Sequence, residues 1–176
     1  MRILLTNDDG IFAPGLTVLE EIARQFSDDV WICCPHEEQS GMGHALTLSR
    51  PIRMRRHDER RFSVSGTPTD AVTMGLRKVL PGPPDVILSG VNRGANLADD
   101  ITYSGTVSAA IEGALAGVRS IALSQVYARE GMGDEVPFDA ARAWGAKVLG
   151  PLLDTPLPRR TLVNVNFPAL PAGEVK

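Results

Sequence analysis

Cysteine is scarce in this 176-residue chain, which has only Cys33 and Cys34, adjacent to each other within an apolar run. Neighbouring residues of a strand point to opposite faces of a sheet, so these two thiols are poorly placed to form a disulfide. The sequence therefore favours a reduced, cytoplasmic protein. Long apolar runs are also missing: none approaches the ~20 residues of a membrane-spanning helix. Residues 1–6 are too short for the apolar core of a signal peptide. We expect a soluble intracellular domain without a membrane partner.

An excess of positive charge is missing too. The chain has 18 basic and 21 acidic residues, for a net charge of -3. Proteins that bind duplex nucleic acid usually present a basic face, so we expect no such partner. A small anion bound locally, by backbone amides or through a metal ion, is still compatible with this composition. The sequence has no internal repeat and no low-complexity segment, and its length suits one domain.

Short apolar runs alternate along the chain with segments of helical period. Strands are predicted at residues 3–5, 30–34, 86–88, 121–123 and 162–165, and helices within residues 14–26, 67–80, 104–117 and 141–152. Residues 45–65 differ, because apolar residues alternate around Pro51 and again near Phe62, which predicts antiparallel strands or a hairpin. Near-continuous apolar strands separated by helices indicate a parallel sheet covered on both faces. The predicted class is α/β.

The helix predicted from residue 67 has a clear start signal. Thr67 is suited to cap the helix, Pro68 fits its first position, and Asp70 is placed to reach back to the backbone.

Polar residues follow three of the predicted strands, at the point where each strand ends. Since ligands of open parallel sheets bind beyond the carboxyl ends of the strands, we expect these residues to share one site. Charged groups beside buried strands cost free energy unless they are paired or coordinated. The three polar segments are Asn7–Gly10 after the first strand, Glu37–Gly43 after the second, and Ser89–Asn96 after the strand at 86–88.

The adjacent carboxylates Asp8 and Asp9 allow two interpretations. Two neighbouring carboxylates repel each other, and a divalent cation commonly holds both in the ionised form. The alternative is an ordinary turn, because Asn-Asp-Asp-Gly is also typical of turns. Their position directly after the first strand favours the metal. An oxygen-only ligand set of these two residues with Ser40 and Asn92 suits Mg²⁺, Mn²⁺ or Ca²⁺ better than zinc.

A second candidate site lies at the start of the helix that follows Tyr103. Ser104, Gly105 and Thr106 combine hydroxyl groups with free backbone amides at a helix N-terminus, which favours phosphate binding. The alternative is a plain serine N-cap. The preceding loop, Asn92–Leu97, is rich in glycine and amide side chains and favours a functional role. Neither a P-loop pattern nor a dinucleotide fingerprint is present.

The histidines are weaker candidates. His36, His44 and His57 lack metal-ligand spacing, and we interpret them as solvated or capping residues. A catalytic triad of Ser40, His44 and Asp8 is conceivable, but Ser40 has no glycine two residues to either side, as a nucleophile elbow requires.

Two charged clusters have open interpretations. Arginines crowd the predicted hairpin, where they form either a solvated face or a flap that steers anionic substrates. Asp99 and Asp100 are either a second metal pair or part of the frame of the loop before Ser104. The arginines are Arg53, Arg55, Arg56, Arg60 and Arg61.

Taken together and in order, these motifs resemble the SurE family, the survival protein E nucleotidases. The resemblance covers essentially the whole chain, and the joint pattern is far more specific than any one piece. The matching segments are Thr6–Gly10 with Ala13–Gly15, Ser40–Gly41 with Ala45–Thr47, Gly66–Asp70, Ser89–Asn96, Tyr103–Ala110, Glu112–Gly113 and Asn164–Asn166.

The resemblance implies a Rossmann-like three-layer fold with a mainly parallel sheet and a β-hairpin excursion around residues 45–65. It also implies a divalent-metal-dependent phosphatase, a 5′-nucleotidase that releases phosphate from nucleoside 5′- and 3′-monophosphates. The cofactor would be one divalent ion, Mg²⁺ or Mn²⁺, with Ca²⁺ as a further possibility. By position, the metal ligands are Asp8, Asp9, Ser40 and Asn92, and the phosphate-binding residues are Asn96, Ser104, Gly105 and Thr106.

The family forms dimers or tetramers through a C-terminal extension that exchanges between subunits. We expect residues 1–176 to form a single domain without that extension, and a homodimer or homotetramer where the extension exists.

A mechanism follows from the paired carboxylates. Asp8 or Asp9 would orient or deprotonate a water that attacks phosphorus, while the ion polarises the phosphoryl group. Three alternatives stay open: an aspartyl-phosphate intermediate, a nucleotide- or metal-binding module without catalysis, and a scaffold whose role is assembly.

Overall fold

A computed structural model of the chain describes residues 1–127 and 137–169. Within them, seven strands form one sheet in the order β3-β4-β2-β1-β5-β6-β7. Every pairing is parallel except that of β3 with β4. The strands are β1 (Ile3–Thr6), β2 (Val30–Pro35), β3 (Met54–Arg56), β4 (Arg61–Val64), β5 (Val86–Arg93), β6 (Arg119–Gln125) and β7 (Leu162–Phe167).

In the described part of the chain, four α-helices cover the two faces of this sheet: α1 (Pro14–Ala23), α2 (Pro68–Met74), α3 (Gly105–Leu115) and α4 (Asp139–Asp154). On one face, Leu5 packs in a buried cluster with Leu19 of α1 and Leu149 of α4. On the other face, Leu4 packs in a cluster with residues of α2 and α3. The alternation of Leu4 and Leu5 between the two clusters reflects the two-residue repeat of a strand. The three-layer α/β fold predicted from the sequence is therefore confirmed.

The two cysteines behave as the alternation predicts. Cys33 belongs to the cluster around Leu4 and Cys34 to the cluster around Leu5, so the two thiols lie on opposite faces of β2. Both are free and buried, and burial raises the pKa of each thiol. Within the described residues, no helix has the length and apolar character to cross a membrane.

The region from residue 45 to residue 65 departs in part from the prediction. The antiparallel hairpin exists, but its strands begin only at Met54, and residues 45–53 have no strand structure. Pro51 cannot donate to a strand ladder, and Leu48 is 88% exposed, so the apolar alternation there does not mark a buried face. The hairpin also joins the main sheet, because β4 pairs in parallel with β2.

The order of the strands places a crevice at the centre of the sheet. From β1 the chain continues outward to β2 and then returns to β5, on the other side of β1. This reversal is the topological switch point at which ligands of open α/β sheets bind. The residues that follow β1 and the last residues of β5 therefore lie together at the carboxyl ends of the strands. Strand β5 is longer than predicted, with a register shift between Ser89 and Asn92, so Asn92 lies on the strand rather than in a loop.

Candidate metal and phosphate site

The site begins with the two carboxylates that follow β1. Asp8 is only 4% exposed, and Asp9 is partly exposed. A hydrogen bond inside the turn that carries them stabilises it: the Asn7 side-chain amide donates to the carbonyl of Gly10 at 2.8 Å. Gly10 has a φ of +97°, which glycine adopts without strain. The turn that the sequence suggested as an alternative to a metal site is thus present, and it presents both carboxylates at the crevice.

Helix α3 begins directly against Asp8. The hydroxyl of Thr106 donates to Oδ1 of Asp8, and a β-carbon at Gly105 would come within 2.7 Å of the Asp8 β-carbon. Ser104 is the N-cap, and its Oγ accepts from the Val107 amide at 3.1 Å. The structure therefore brings the predicted phosphate-binding start of α3 into contact with the first carboxylate. The positive end of the helix dipole faces that carboxylate.

The end of β5 supplies the next part of the site. The backbone amide of Arg93 donates to Oδ2 of Asp9 at 3.3 Å. The side-chain nitrogen of Asn92 donates to the carbonyl of Gly94 at 2.9 Å. That contact fixes which end of the amide is the nitrogen and leaves Oδ1 of Asn92 as the atom suited to a cation. Asp9 and Asn92 are thus neighbours, as the prediction of a shared site requires.

The loop after β2 closes the site from the other side. The backbone amide of Gln39 donates to the Asp8 carbonyl at 2.7 Å, and Ser40 Oγ donates to Oε1 of Glu38 at 2.9 Å. Ser40 is exposed, so its hydroxyl is accessible at the rim of the site. Glu38 is a third acid close to the carboxylate pair, and the sequence analysis did not assign it a role, although it lies in the same polar segment.

Burial and neighbouring acids dominate the electrostatics of the two carboxylates, and the charge of Arg93 opposes them only in part at Asp9. Burial raises the pKa of Asp8, opposed by the Thr106 hydrogen bond. Burial, and next the charge of Asp8, raise the pKa of Asp9 to about 6, opposed by the Arg93 amide. The charge of Glu38 adds to both shifts. Ionising both carboxylates is therefore costly here, and a bound cation would remove that cost.

Few acidic side chains are placed to bind a cation at this site. Within residues 1–127 and 137–169, no group of three His, Cys, Asp or Glu side chains could hold a metal ion. The further ligands predicted from the sequence, Ser40 and Asn92, would supply neutral oxygens. Two carboxylates with neutral oxygen ligands suit a hard ion that keeps some of its water, such as Mg²⁺.

Asn96 is buried, and its hydrogen bonds tie its loop to the neighbouring strands. Its side-chain nitrogen donates to Ser124 Oγ at 2.8 Å, and its backbone amide donates to Asn166 Oδ1 at 2.9 Å. Its carbonyl accepts from the Asn164 side chain at 2.8 Å. Ser124, Asn164 and Asn166 lie on β6 and β7, and the sequence analysis missed this anchoring role. The sequence feature that indicates this anchoring role is the presence of polar residues in otherwise apolar strands. A direct contact of Asn96 with phosphate stays a prediction.

The weaker candidates lie elsewhere. His44 pairs with Glu112 of α3, with 3.1 Å between Nε2 and Oε2, rather than with Ser40. This pairing argues against the conceivable triad. Asp99 and Asp100 lie in an exposed 3-10 turn before α3, and the Asp100 carbonyl accepts from the Ser104 amide at 3.0 Å. They frame the start of α3, which was the second of their two interpretations.

Two arginines of the cluster around the hairpin form ion pairs. Arg60 forms an ion pair with Asp29 at 3.3 Å and stacks on Trp31. Arg61 forms an ion pair with Glu20 of α1. These contacts favour the solvated face over a mobile flap for this part of the cluster.

Comparison with known proteins decides the family. The family described as Survival protein SurE matches residues 3–176. The chain belongs to the SurE family. The resemblance drawn from the sequence motifs is therefore confirmed.

Relatives and a solved structure agree with this assignment. The chain is 64% identical over 177 residues to a protein named 5′-nucleotidase SurE from Erythrobacter litoralis, covering 100% of this chain and 69% of that protein. It is 68% identical over 170 residues to a protein of the same name from Rhizorhabdus wittichii, covering 96% and 67%. The crystal structure of the SurE protein from Aquifex aeolicus superimposes with a TM-score of 0.90 at 40% identity, covering 100% of this chain and 69% of that one. The SurE fold is thus common to both structures.

Proposed function

We propose that this chain is a divalent-metal-dependent 5′-nucleotidase that hydrolyses the phosphate ester of nucleoside 5′- and 3′-monophosphates. The observation that carries the proposal is the contact between the Asp8–Asp9 pair and the N-terminus of α3, through Thr106 and Gly105. It joins a place for a cation to a place for an anion within one crevice. The relatives named 5′-nucleotidase SurE, at 64% and 68% identity, support the same activity.

The residues of the crevice fit a hard divalent cation. Asp8 and Asp9 are both costly to ionise without one, and the remaining donors are oxygens. We assign the ligands as Asp8, Asp9, Ser40 and Asn92, with Mg²⁺ or Mn²⁺ as the ion and Ca²⁺ as a possible substitute. When bound, such an ion withdraws charge from the phosphoryl oxygens and lowers the pKa of a nearby water.

The two carboxylates have different roles in this proposal. Thr106 occupies Oδ1 of the buried Asp8, whereas Asp9 is partly exposed and reaches solvent. We therefore assign Asp9 as the group that orients the attacking water and accepts its proton. The water oxygen forms a bond to phosphorus and the bond from phosphorus to the nucleoside oxygen breaks. That oxygen takes up the proton that Asp9 accepted from the water, directly or by exchange with solvent.

The start of α3 binds the phosphate in this proposal. Gly105 and Thr106 offer backbone amides, Ser104 offers its hydroxyl, and the helix offers the positive end of its dipole to the oxygens of the phosphate. Asn96, anchored to β6 through Ser124, completes the pocket from the loop that precedes the helix. Donors fixed in this way stabilise charge on the phosphoryl oxygens without rearrangement during the reaction.

The test is phosphate release from AMP and GMP at neutral pH, with Mg²⁺, with Mn²⁺ and with a chelator. We expect release that requires metal and falls at least about 100-fold in Asp9→Asn. The matched control is Asp139→Asn, which changes an exposed aspartate at the start of α4 and should keep full activity. Full activity of Asp9→Asn would contradict the assignment. Metal and nucleotide binding without release would identify a binding module instead.

Assembly and location complete the proposal. We propose a homodimer or homotetramer, as the family resemblance implies, and a cytoplasmic location, in accord with two free cysteines. Light scattering of the purified protein measures the first, and cell fractionation the second.

A further inference from the structure

Three aromatic rings gather beside the site, and the proposed chemistry uses none of them. This ring cluster consists of Phe12, His36 and His57. The two imidazoles are stacked, with centroids 6.1 Å apart and 13° between their planes. The Phe12 ring stands nearly perpendicular to both, at 76° to His36 and 88° to His57. Two nearly parallel imidazole rings and a nearly perpendicular phenyl ring thus meet at one place.

The ring cluster is held in place although it is near the surface. Ser63 on β4 bonds both imidazoles, with its Oγ 3.2 Å from Nδ1 of His36 and 2.7 Å from Nε2 of His57. Burial, and next the charge of Arg55, lower the pKa of His57, which favours the neutral ring. Phe12 stays 74% exposed despite its two ring contacts. The cluster therefore offers a fixed aromatic surface that the fold itself does not cover.

The ring cluster adjoins the carboxylates. Phe12 follows Gly10 by two residues, and His36 directly precedes Glu37. The backbones of Gly10 and Glu37 pack so closely that a β-carbon at Gly10 would lie 3.2 Å from the carbonyl carbon of Glu37. Arg61 supports the same loop by donating to the Ile11 carbonyl at 3.5 Å. The rings and the Asp8–Asp9 turn are thus parts of one connected surface.

The strand order gives the direction in which a substrate would extend. Helix α3, which contacts Asp8, connects β5 and β6 on one side of β1, whereas the ring cluster lies at β2 and β4 on the other side. A phosphate at the start of α3 therefore has its ester bond near the carboxylates. An alcohol group on the side of the carboxylates away from α3 would extend toward β2 and β4. A small cavity of about 180 Å³ opens beside His36, bordered also by Arg53 and Arg55, with no acidic residue in its wall.

We propose that the ring cluster binds the nucleobase of the substrate and that it favours purines, with Phe12 and His36 as the stacking residues. This inference rests on the proposed nucleotidase function. It adds a binding site for the base, which the phosphate site does not contact. Aromatic side chains bind bases by stacking, and a two-ring purine offers the larger face. Arg53 and Arg55 add donors, which match the acceptor edge of guanine.

The test compares substrates with and without a base. Phe12→Ala should raise KM for GMP and AMP about 5- to 100-fold, the range expected for losing one stacked base. Ribose 5-phosphate lacks the base, so its kcat/KM should stay within about twofold of the unchanged protein. The control is Leu48→Ala, which removes another exposed apolar side chain and should alter neither substrate. CMP should show a smaller effect of Phe12→Ala than GMP.

Two results would overturn the inference. Equal losses for GMP and ribose 5-phosphate would mean that Phe12 only supports the carboxylate turn. Unchanged KM for GMP in Phe12→Ala would mean that the base lies elsewhere. Calorimetric binding of GMP and of ribose 5-phosphate, with Mg²⁺ present, tests the base site without turnover. Should the protein release no phosphate from any ester, a selective loss of GMP binding in Phe12→Ala would still support the base site, while the nucleotidase proposal alone would fail.

Discussion

The hydroxyl of Thr106 donates to Oδ1 of Asp8, across 98 residues of chain. The contact joins the turn after β1 to the first turn of α3. It opposes the effect of burial on the Asp8 pKa, because a hydrogen bond to the carboxylate favours the charged form. The charge that a cation would need at Asp8 therefore depends on a residue of α3.

Replacing Thr106 tests this dependence. Thr106→Val removes the donor, so we expect the Asp8 pKa to rise further and the affinity for Mn²⁺ to fall about 10- to 100-fold, as for other groups that support metal ligands. Thr106→Ser keeps the hydroxyl and should retain affinity within a few-fold. Calorimetric titration with Mn²⁺ measures both. Equal affinities for the valine and serine variants would show that the hydroxyl does not support the site.

Gly105 fits against Asp8 only because it lacks a side chain. A β-carbon there would lie 2.7 Å from the Asp8 β-carbon and 3.0 Å from Oδ2. Gly105→Ala should therefore displace the carboxylate and reduce phosphate release at least about 100-fold, since displacements near 1 Å have such effects in active sites.

Gly150→Ala is the matched control for that substitution. Its β-carbon would meet nothing closer than Phe26, at 4.0 Å. In α4 it should leave activity unchanged, and we expect no gain in stability, because a β-carbon on the residue before Pro151 is disfavoured in helical backbone. Full activity of Gly105→Ala would contradict the close packing of α3 on Asp8.

The pKa of Asp9 predicts a pH dependence of stability in metal-free protein. Its folded value of about 6 lies above the ordinary 3.8, so the folded state holds the proton more tightly than the unfolded chain. The resulting stabilisation is present below about pH 4 and is lost as the pH rises through about 6, by up to about 3 kcal/mol for a shift of this size. Thermal unfolding between pH 4 and pH 7 measures the loss.

Asp9→Asn provides the reference for this measurement. The variant cannot ionise at position 9, so its Tm should fall less than that of the unchanged protein over the same interval. Adding Mg²⁺ at pH 7 should raise the Tm of the unchanged protein and have a much smaller effect on Asp9→Asn. Parallel pH profiles of the two proteins would show that Asp9 is not the group responsible.

The features that the sequence predicts well are those set by neighbouring residues. The capping box at Thr67 and Asp70 is confirmed in full, because it depends on residues three apart. The convergence of Asp8, Asp9 and Asn92 is also predicted, since parallel strands necessarily bring their carboxyl ends to one edge. The family resemblance then adds ligand roles that spacing alone leaves open.

The features that the sequence does not predict depend on contacts between distant segments. The anchoring of Asn96 by Asn166 requires β7 to lie beside β6, which no local pattern specifies. Residues 45–53 alternate like a strand, yet the neighbouring hairpin supplies the edge strand instead. The ring cluster was missed for the same reason, because Phe12, His36 and His57 come from three separate loops.

Asp70 connects α2 to the loop that follows the site, and its removal should destabilise both. Its carboxylate accepts from the Thr67 amide at 2.9 Å and from the Thr47 amide at 3.2 Å, and the side chain is buried. Asp70→Ala leaves both amides without this partner, so we expect a loss of about 1–3 kcal/mol in unfolding free energy by urea titration. Asp139→Ala is the control: Asp139 is exposed in the first turn of α4, so only a weak interaction with the helix dipole is lost, up to about 1 kcal/mol. Equal losses for the two variants would mean that Asp70 contributes through helix charge alone and does not hold the loop.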